Sequence, residues 1–122
     1  MTWYEEFYAH VDAMDTARMA QMCTVDTTVT FANHPPAVGI EEVTGALTRL
    51  WSNLAALHHR FVEVIEDGDR AVIEAIVDYT RLDGTTVSIP AATVVLRRDG
   101  LIASQRIYID VAPLFDSAEL TA

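Results

Sequence analysis

The stretch "EDGDRAVIEAIVDYTRLDGTTVSIPAATVVLRRDGL", residues 66–101, decides the fold that this sequence predicts. Its runs of valine, isoleucine and threonine are interrupted by Asp-Gly pairs at 67–68, 83–84 and 99–100. Asp-Gly between apolar runs is the strongest short-range signal for a β-hairpin, because glycine accepts the positive φ that a tight turn needs. These successive turns predict an antiparallel meander of four strands over residues 58–115.

The N-terminal half predicts helices and one further strand. Apolar side chains recur at helical spacing over residues 2–22 and again over 40–57, "IEEVTGALTRLWSNLAAL". Between them, "TVDTTVTFA" at 24–32 alternates as a strand does, until Pro35 and Pro36 end it. This order predicts one α+β domain over 1–122, with helices packed on one face of a strongly bent, mainly antiparallel mixed sheet.

Composition and charge argue against several classes of partner. The chain has 122 residues and a net charge of −10, whereas nucleic acids and anionic membranes need basic patches. No apolar run approaches the roughly 20 residues of a membrane span, and the N-terminus lacks the basic segment of a signal peptide. A cytoplasmic location is therefore expected. The single cysteine, Cys23, is interpreted as inert core, since no partner at metal-ligand spacing accompanies it.

Three stretches carry a resemblance to a known superfamily: "FANHPPAVG" (31–39), "YTRLDGTTVSIP" (79–90) and "DGLIASQRIYIDVAPLF" (99–115). With the order of elements, they resemble the nuclear-transport-factor-2-like superfamily, and within it the SnoaL-like proteins, limonene-epoxide hydrolase and ketosteroid isomerase. The resemblance implies a cystatin-like cone around an apolar pocket for a small hydrophobic ligand, and a homodimer through the sheet. No phosphate-binding loop is present, so no cofactor is expected.

The catalytic groups of ketosteroid isomerase fall on residues that cannot replace them. That enzyme uses an Asp base, together with a Tyr and a protonated Asp as the oxyanion hole. The resemblance places the base at Asn33, the Tyr at Phe7 and the second Asp at Ala92. An amide cannot abstract a proton, so isomerase chemistry of that type is not expected.

The resemblance to limonene-epoxide hydrolase is closer around "FANHPPAVG". The Tyr and Asn that help hold the attacking water in that family correspond to Phe31 and Asn33. The Arg and the two Asp that activate water and epoxide correspond to Glu74, Ile76 and Ile107. Of these groups only the amide, that of Asn33, is retained. The resemblance therefore implies a residue that can orient a water molecule, but not the groups that would activate that water.

Both comparisons place Ile76 and Asp78 toward the interior of the cone. A buried Asp78 would lose water, which raises the pKa of its carboxyl and makes it the candidate acid–base group. Asn33, preferred over His34, would hold a water or a substrate oxygen, and Glu74 is the next catalytic candidate. The predicted substrate-binding side chains are Phe7, Phe31, Trp51, Ile76, Ile89, Ala91, Ile107 and Ile109. The opposite face of the same strand, Ile73, Ala75, Val77 and Tyr79, would form the dimer contact.

Three functions stay open at this point. The first is an enzyme of the cyclase, isomerase or epoxide-hydrolase type that uses Asp78 with Asn33. The second is a non-catalytic carrier of a small hydrophobic ligand, and the third is a dimeric structural or partner-binding domain. Structural alternatives also exist for single residues: Asn33 as the end of a strand, Asp78 as a solvated rim residue, and His58 and His59 as residues of a helix-to-strand junction.

Overall fold

The structure, a computed structural model, describes residues 1–115. Four helices are present in this part of the chain: α1 (Trp3–Asp12), α2 (Thr16–Ala20), α3 (Ile40–Trp51) and the short α4 (Ala112–Phe115). The strands are β1 (Cys23–Phe31), β2 (Ala37–Val38), β3 (Leu54–Asp67), β4 (Arg70–Arg81), β5 (Thr86–Arg98) and β6 (Leu101–Ile109). The predicted domain extends to Ala122, and residues 116–122 lie outside the described residues.

The six strands form one mixed sheet in the order β2-β1-β6-β5-β4-β3. Every neighbouring pair is antiparallel except β1 and β6, which are parallel. Register shifts in the β1–β6, β3–β4 and β5–β6 pairings mark bulges, which bend a strand and increase the local twist. The prediction of an α+β fold with a bent, mainly antiparallel mixed sheet is confirmed.

The Asp-Gly turns connect the strands as predicted. Gly68, Gly84 and Gly100 all adopt positive φ, and Asp99 joins Gly100 in this region with φ 54°. The pair Asp99-Gly100 thus has positive φ at both central positions, the conformation that favours two-residue hairpins. The long pairings that follow, β3 with β4 and β4 with β5, determine which side chains share a face of the sheet.

Helices α1, α2 and α3 cover one face of the sheet. Helix α1 begins at a capping box, in which the hydroxyl of Thr2 accepts from the backbone N–H of Glu5 while the Glu5 carboxylate accepts from the Thr2 N–H. Its buried side chains join those of α3 and of the inner sheet face in one core, with members such as Phe7, Val43 and Ile73, each 1 % exposed. This core surrounds the cavity described below.

Two boundaries differ from the sequence-based prediction. Helix α3 ends at Trp51, because the side chains of Ser52 and Asn53 donate to the carbonyl of Arg49 and close the last turn. Leu54, expected on the apolar face of that helix, instead begins β3. The chain after the two prolines also forms β2, which pairs with β1. No helix within residues 1–115 is long and apolar enough to span a membrane.

Candidate functional site

An inner chamber of about 60 Å³ lies between the helices and the inner face of the sheet. Most of its wall is aliphatic or aromatic, with contributions from α1, α2, α3 and strands β1, β3, β4, β5 and β6. Its polar side chains are few and come from separate elements: Tyr8, His59, Tyr79, Thr93 and Gln105. A small apolar chamber with a few convergent polar groups is the usual composition of a small-molecule site.

A short hydrogen bond at the wall of this chamber joins α1 to β3. Nδ1 of His59 lies 2.6 Å from Oδ1 of Asp12, and the backbone N–H of His59 donates to Oδ2 of Asp12 at 3.0 Å. A carboxylate can only accept, so Nδ1 carries a proton, and in the neutral ring the lone pair therefore lies on Nε2. Nε2 makes no hydrogen bond within the described chain, while the ring lines the chamber. His59 therefore has the orientation of a general base.

Tyr8 lies beside this histidine, one helical turn before Asp12. Its ring centroid is 4.6 Å from that of His59, and its phenol interacts with the side chain of Thr93 on β5. Burial raises the pKa of the Tyr8 phenol to about 12, against the opposing effect of the Thr93 hydrogen bond, and the nearby Asp12 carboxylate adds to the rise. The phenol is thus neutral at physiological pH and available as a hydrogen-bond donor.

Gln105 adds an amide to the same chamber. The residue is only 5 % exposed, and its side chain makes no hydrogen bond within residues 1–115. Among the described residues, every fully enclosed side-chain nitrogen or oxygen has a hydrogen-bond partner. Because the Gln105 amide has none, its polar atoms must remain accessible from the cavity space. Burying an amide without a partner costs free energy, so this position favours a ligand oxygen or N–H as its partner.

An outer chamber of about 280 Å³ lies next to the inner one. Val29, Phe31, Leu47 and Leu50 line both chambers and form their common boundary. The remaining wall of the outer chamber consists of His34, Ala37, Val43, Ala46, Arg49 and Phe115. The two chambers therefore lie directly beside each other, on either side of these shared side chains.

Most of the predicted substrate-binding side chains do surround the cavity. Phe7, Phe31, Trp51, Ala91, Ile107 and Ile109 all line the inner chamber. Ile89 is buried in the core, 3 % exposed, without lining either chamber. The inward position expected of Ile107 and Ile109 agrees with the structure, in which the alternating Arg106 and Tyr108 are exposed on the outer face.

The predicted orientation of β4 is wrong. Asp78 lies on the outer face of the sheet, where both of its oxygens accept from the Arg60 guanidinium at 2.8 and 2.9 Å and Oδ1 also accepts from Ser88 at 2.6 Å. These hydrogen bonds hold the pKa of the Asp78 carboxyl well below its usual range, Arg60 having the larger effect. Glu74 and Ile76 lie on the same outer face, and none of the three lines a chamber.

The sheet register explains this error. Residues directly opposite on neighbouring strands share a face, and Ala91 lies opposite Ala75, while Ile76 lies opposite Pro90. Ala91 and Ile76 therefore cannot both point inward. The side chains assigned to a dimer contact, Ile73, Ala75, Val77 and Tyr79, are buried in the domain and line the inner chamber. Alternation along β4 was read correctly, but the two faces were exchanged.

The prediction that Asn33 and not His34 faces the cavity is also wrong. Ala32 adopts a positive φ of 51° and its N–H donates to the carbonyl of Ile107, so β1 has ended before Asn33. Asn33 is exposed in the following turn and lines neither chamber. The ring of His34 lines the outer chamber, with Nδ1 3.0 Å from the carbonyl of Phe31.

The pair of His59 and Asp12 was not predicted from the sequence, in which His59 was interpreted as structural. Two signals were present. Tyr8 and Asp12 are four residues apart on one predicted helix, which places them on the same face, and His59 alternates with the apolar Leu57 along its strand. What joins them is a contact across 47 residues, which no local pattern reports. Within residues 1–115, no group of three His, Cys, Asp or Glu side chains could hold a metal ion.

Comparison with known structures supports the architecture. A protein from Catenulispora acidiphila with a ketosteroid isomerase-like fold, solved with trimethylamine, superposes with a TM-score of 0.78 at 20% identity, covering 86% of this chain and 82% of that one. An NTF2-like protein of unknown function from Burkholderia pseudomallei gives 0.81 at 18%, covering 91% and 90%. TerC, co-crystallized with polyporic acid, gives 0.80 at 19%, covering 91% of both chains. At these identities the likeness establishes the NTF2-like cone fold alone.

A comparison with curated proteins finds no match. The family model of the SnoaL-like domain, however, matches residues 4–105, which include β1 to β5 and every polar side chain of the inner chamber. The match thus spans most of the chain. With the cone fold and the inner chamber already described, it shows that this protein belongs to the SnoaL-like domain family.

Proposed function

We propose that this protein is a cofactor-independent enzyme that transfers protons on a small, apolar, oxygenated molecule, as cyclases and isomerases do, with His59 as the acid–base group. The observation that carries the proposal is the cluster at the wall of the inner chamber. Asp12 fixes the tautomer of His59, and the Tyr8 ring lies 4.6 Å away. No carboxylate among the described residues lines the chamber, so the imidazole is its best base.

The reaction supported by this geometry begins at a carbon next to a carbonyl group. Nε2 of His59 takes the proton from that carbon, and the electrons of the C–H bond move into the carbonyl to give an enolate. The O–H of Tyr8 donates to the developing oxyanion, while Asp12 stabilises the imidazolium. The imidazolium then returns the proton to another carbon, which is an isomerisation, or to the oxygen formed when the enolate attacks a second carbonyl, which is a cyclisation.

The surroundings make these groups effective. The side chains of His59 and Asp12 are 15% and 20% exposed, so their interaction is only partly screened by water. Gln105 and Thr93 offer hydrogen bonds to other oxygens of the substrate without bringing charge into the chamber. The absence of ketosteroid isomerase activity, inferred from Phe7, Asn33 and Ala92, stays a prediction about those positions, because the base and the phenol proposed here are different residues.

Proton exchange with solvent tests the proposal without a known natural substrate. The protein is incubated in D₂O with enolisable apolar ketones such as 2-tetralone, and loss of the α-proton signal is followed by NMR. We expect the wild type to accelerate exchange and His59→Gln to lose most of that rate, since general base catalysis contributes roughly 10²–10⁴-fold.

His10→Gln is the matched control, because His10 is a histidine of α1 that lines neither chamber and forms no ion pair within residues 1–115. Exchange that is equal in wild type and His59→Gln contradicts the proposal. Ligand binding by NMR shift without exchange for any ketone of the panel would instead favour a carrier of small apolar molecules.

The relatives make a small-molecule ligand plausible on independent grounds. Structures of the same fold were obtained with trimethylamine and with polyporic acid. Their bound molecules belong to those proteins, and for this chain they support only the class of ligand, a small organic molecule. A cytoplasmic location is part of the same proposal, as expected for an enzyme that acts on a metabolite.

We also propose a homodimer through the outer face of the sheet, with different residues from those first expected. The outer face carries Val72, Ile76, Pro90, Ala92, Val94 and Tyr108, the last 61 % exposed. Glu63 and Glu74 lie directly opposite each other on β3 and β4, an unfavourable like-charge pair. Arg106, opposite Val94 on the same face, has no ion pair within residues 1–115. A two-fold interface that pairs Arg106 of one subunit with these glutamates of the other would relieve this repulsion.

A further inference from the structure

We infer that the outer chamber is a recognition site for the carboxylate of a flat, apolar acid, with Arg49 as the residue that binds the anionic end. This inference rests on the proposed function, because it assigns a substrate class to the same cavity. It extends that function by giving the two chambers separate tasks. The inner chamber holds the reacting carbons, and the outer chamber selects the molecule by its charge and its aromatic body.

The walls of the outer chamber define the body of the ligand. Apart from His34 and Arg49, all of its lining side chains are hydrocarbon. Phe31 lies inside the chamber and Phe115 at its edge, 57 % exposed, so two aromatic rings are available to an aromatic ligand. A volume of about 280 Å³ lies just below the range for small-molecule sites, which runs from about 300 Å³ upward. This size suits a molecule of about two rings.

The charge of Arg49 indicates that the polar end of the ligand is anionic. In a protein of net charge −10, several arginines are neutralised by neighbouring carboxylates, Arg18 by Asp15, Arg60 by Asp78 and Arg98 by Asp26. Arg49 forms no ion pair within the described chain. Its side chain is exposed overall and lines the chamber together with nine mainly apolar residues.

The position of the guanidinium along α3 is defined by Gly45. A Cβ placed on Gly45 would lie 3.5 Å from Nη1 of Arg49, so the side chain folds back over the preceding turn. Ala46 and Leu47, the next residues of that turn, line the chamber. The cation is thus held against the mouth of an apolar cavity. A guanidinium presents paired N–H donors that match the two oxygens of a carboxylate.

A matched pair of ligands tests this inference by isothermal titration calorimetry. The probes are 2-naphthoate and 2-naphthamide, which share one bicyclic body and differ in charge. At about pH 7.5 the acid is fully ionised. We expect the wild type to bind 2-naphthoate more tightly than 2-naphthamide by roughly three- to tenfold, the range for a partly exposed charge-assisted hydrogen bond. Added salt should reduce this preference, because it is electrostatic.

Arg49→Gln should remove the preference while the affinity for 2-naphthamide stays the same. Arg18→Gln removes the same charge from a side chain that lines neither chamber, and it should keep the preference. Arg49→Lys retains the charge and should keep part of the preference for 2-naphthoate. This variant also provides a test if Arg49→Gln does not fold. Equal affinities in the wild type, no binding of either probe, or a preference that survives in Arg49→Gln would overturn the inference. None of these results depends on turnover, so the proton-exchange experiment can fail or succeed separately.

Discussion

Asp12 and His59 interact through two hydrogen bonds at once, because one carboxylate oxygen accepts from the imidazole Nδ1 at 2.6 Å and the other from the backbone N–H at 3.0 Å. The second bond fixes the carboxylate relative to β3, and the first fixes the ring relative to the carboxylate. The last turn of α1 and the middle of β3 are thereby joined at the wall of the inner chamber. The imidazole keeps one orientation and one tautomer, which a general base requires.

The first prediction concerns Asp12→Asn. The amide can donate to Nδ1 and stabilise the other tautomer, in which Nε2 carries the proton and can no longer accept one. We expect the exchange rate of an enolisable ketone to fall by roughly 10²–10⁴-fold, with kcat affected rather than KM. NMR exchange kinetics measure this, and Asp26→Asn, at an exposed surface pair with Arg98, is the control. An unchanged rate in Asp12→Asn would remove the pair from the mechanism.

The second prediction concerns Tyr8→Phe, which removes the phenol and keeps the ring. Burial raises the pKa of Tyr8 to about 12, so the phenol stays a neutral donor throughout the working pH range. Loss of this donor should reduce kcat by roughly 10–10³-fold, as for other oxyanion donors, with the secondary structure retained by circular dichroism. Tyr4→Phe is the matched control, because Tyr4 packs on Trp3 and Phe61 and lines neither chamber. A similar loss in both variants would indicate a packing effect.

The third prediction separates stability from binding at Gln105. Gln105→Leu replaces an unpartnered buried amide by an apolar side chain of similar size, so the free energy of unfolding should stay equal or rise by about 1 kcal/mol. Affinity for an oxygenated ligand should fall at the same time. Urea unfolding and calorimetric titration measure the two quantities, with the exposed Gln21→Leu as control. A clear loss of stability in Gln105→Leu would mean that the amide has a structural partner.

The fourth prediction assigns Asp78 to stability instead of catalysis. Hydrogen bonds from Arg60 and Ser88 lower the pKa of the folded-state carboxyl, so the native state binds this proton less readily than the unfolded chain does. The stabilisation is complete above the unfolded pKa of about 3.9 and is lost as the pH falls below it. Asp78→Asn should therefore lower Tm at neutral pH, and its difference from wild type should shrink in acid. Exchange activity should not change; a large loss of activity would contradict the outer-face position.

The fifth prediction tests the dimer. Val94→Glu introduces a carboxylate at the centre of the outer face, next to Val72 and Arg106. We expect light scattering at micromolar concentration to give twice 13.5 kDa for the wild type and 13.5 kDa for the variant. Val25→Glu, at an 83 % exposed position of β1, should remain dimeric. A wild-type mass of 13.5 kDa would show that this face is not a dimer interface under these conditions.

Local sequence patterns predicted most of the architecture. The hairpins follow from Asp-Gly turns, and the strand and helix types follow from periodicity, because each depends on residues close in the chain. The apolar wall of the cavity was likewise predictable. Ile107 and Ile109 illustrate this, because along their strand apolar side chains alternate with polar, exposed ones.

The face of β4 was not predictable from alternation alone. Both of its faces carry apolar residues, so period two defines two sets without saying which one meets the helices. The pairing register decides which face of β4 points inward, because Ala75 lies opposite Ala91. Register, however, is a relation between two strands, and the pattern within one strand does not reveal it. An exchange of faces moves every side chain at once, and this is why Asp78, Glu74 and Ile76 were assigned together to the wrong side.

By itself, then, the sequence determined the α+β order, the turns and an apolar interior, because these depend on local backbone preference and on burial of hydrocarbon. The tertiary structure alone decided which polar groups enter that interior. Asp12 and His59 are 47 residues apart, and Tyr8 reaches Thr93 across the core. Only the packing of α1 against the inner sheet face brings them within hydrogen-bonding distance, and such long-range contacts leave no periodic signal in the chain.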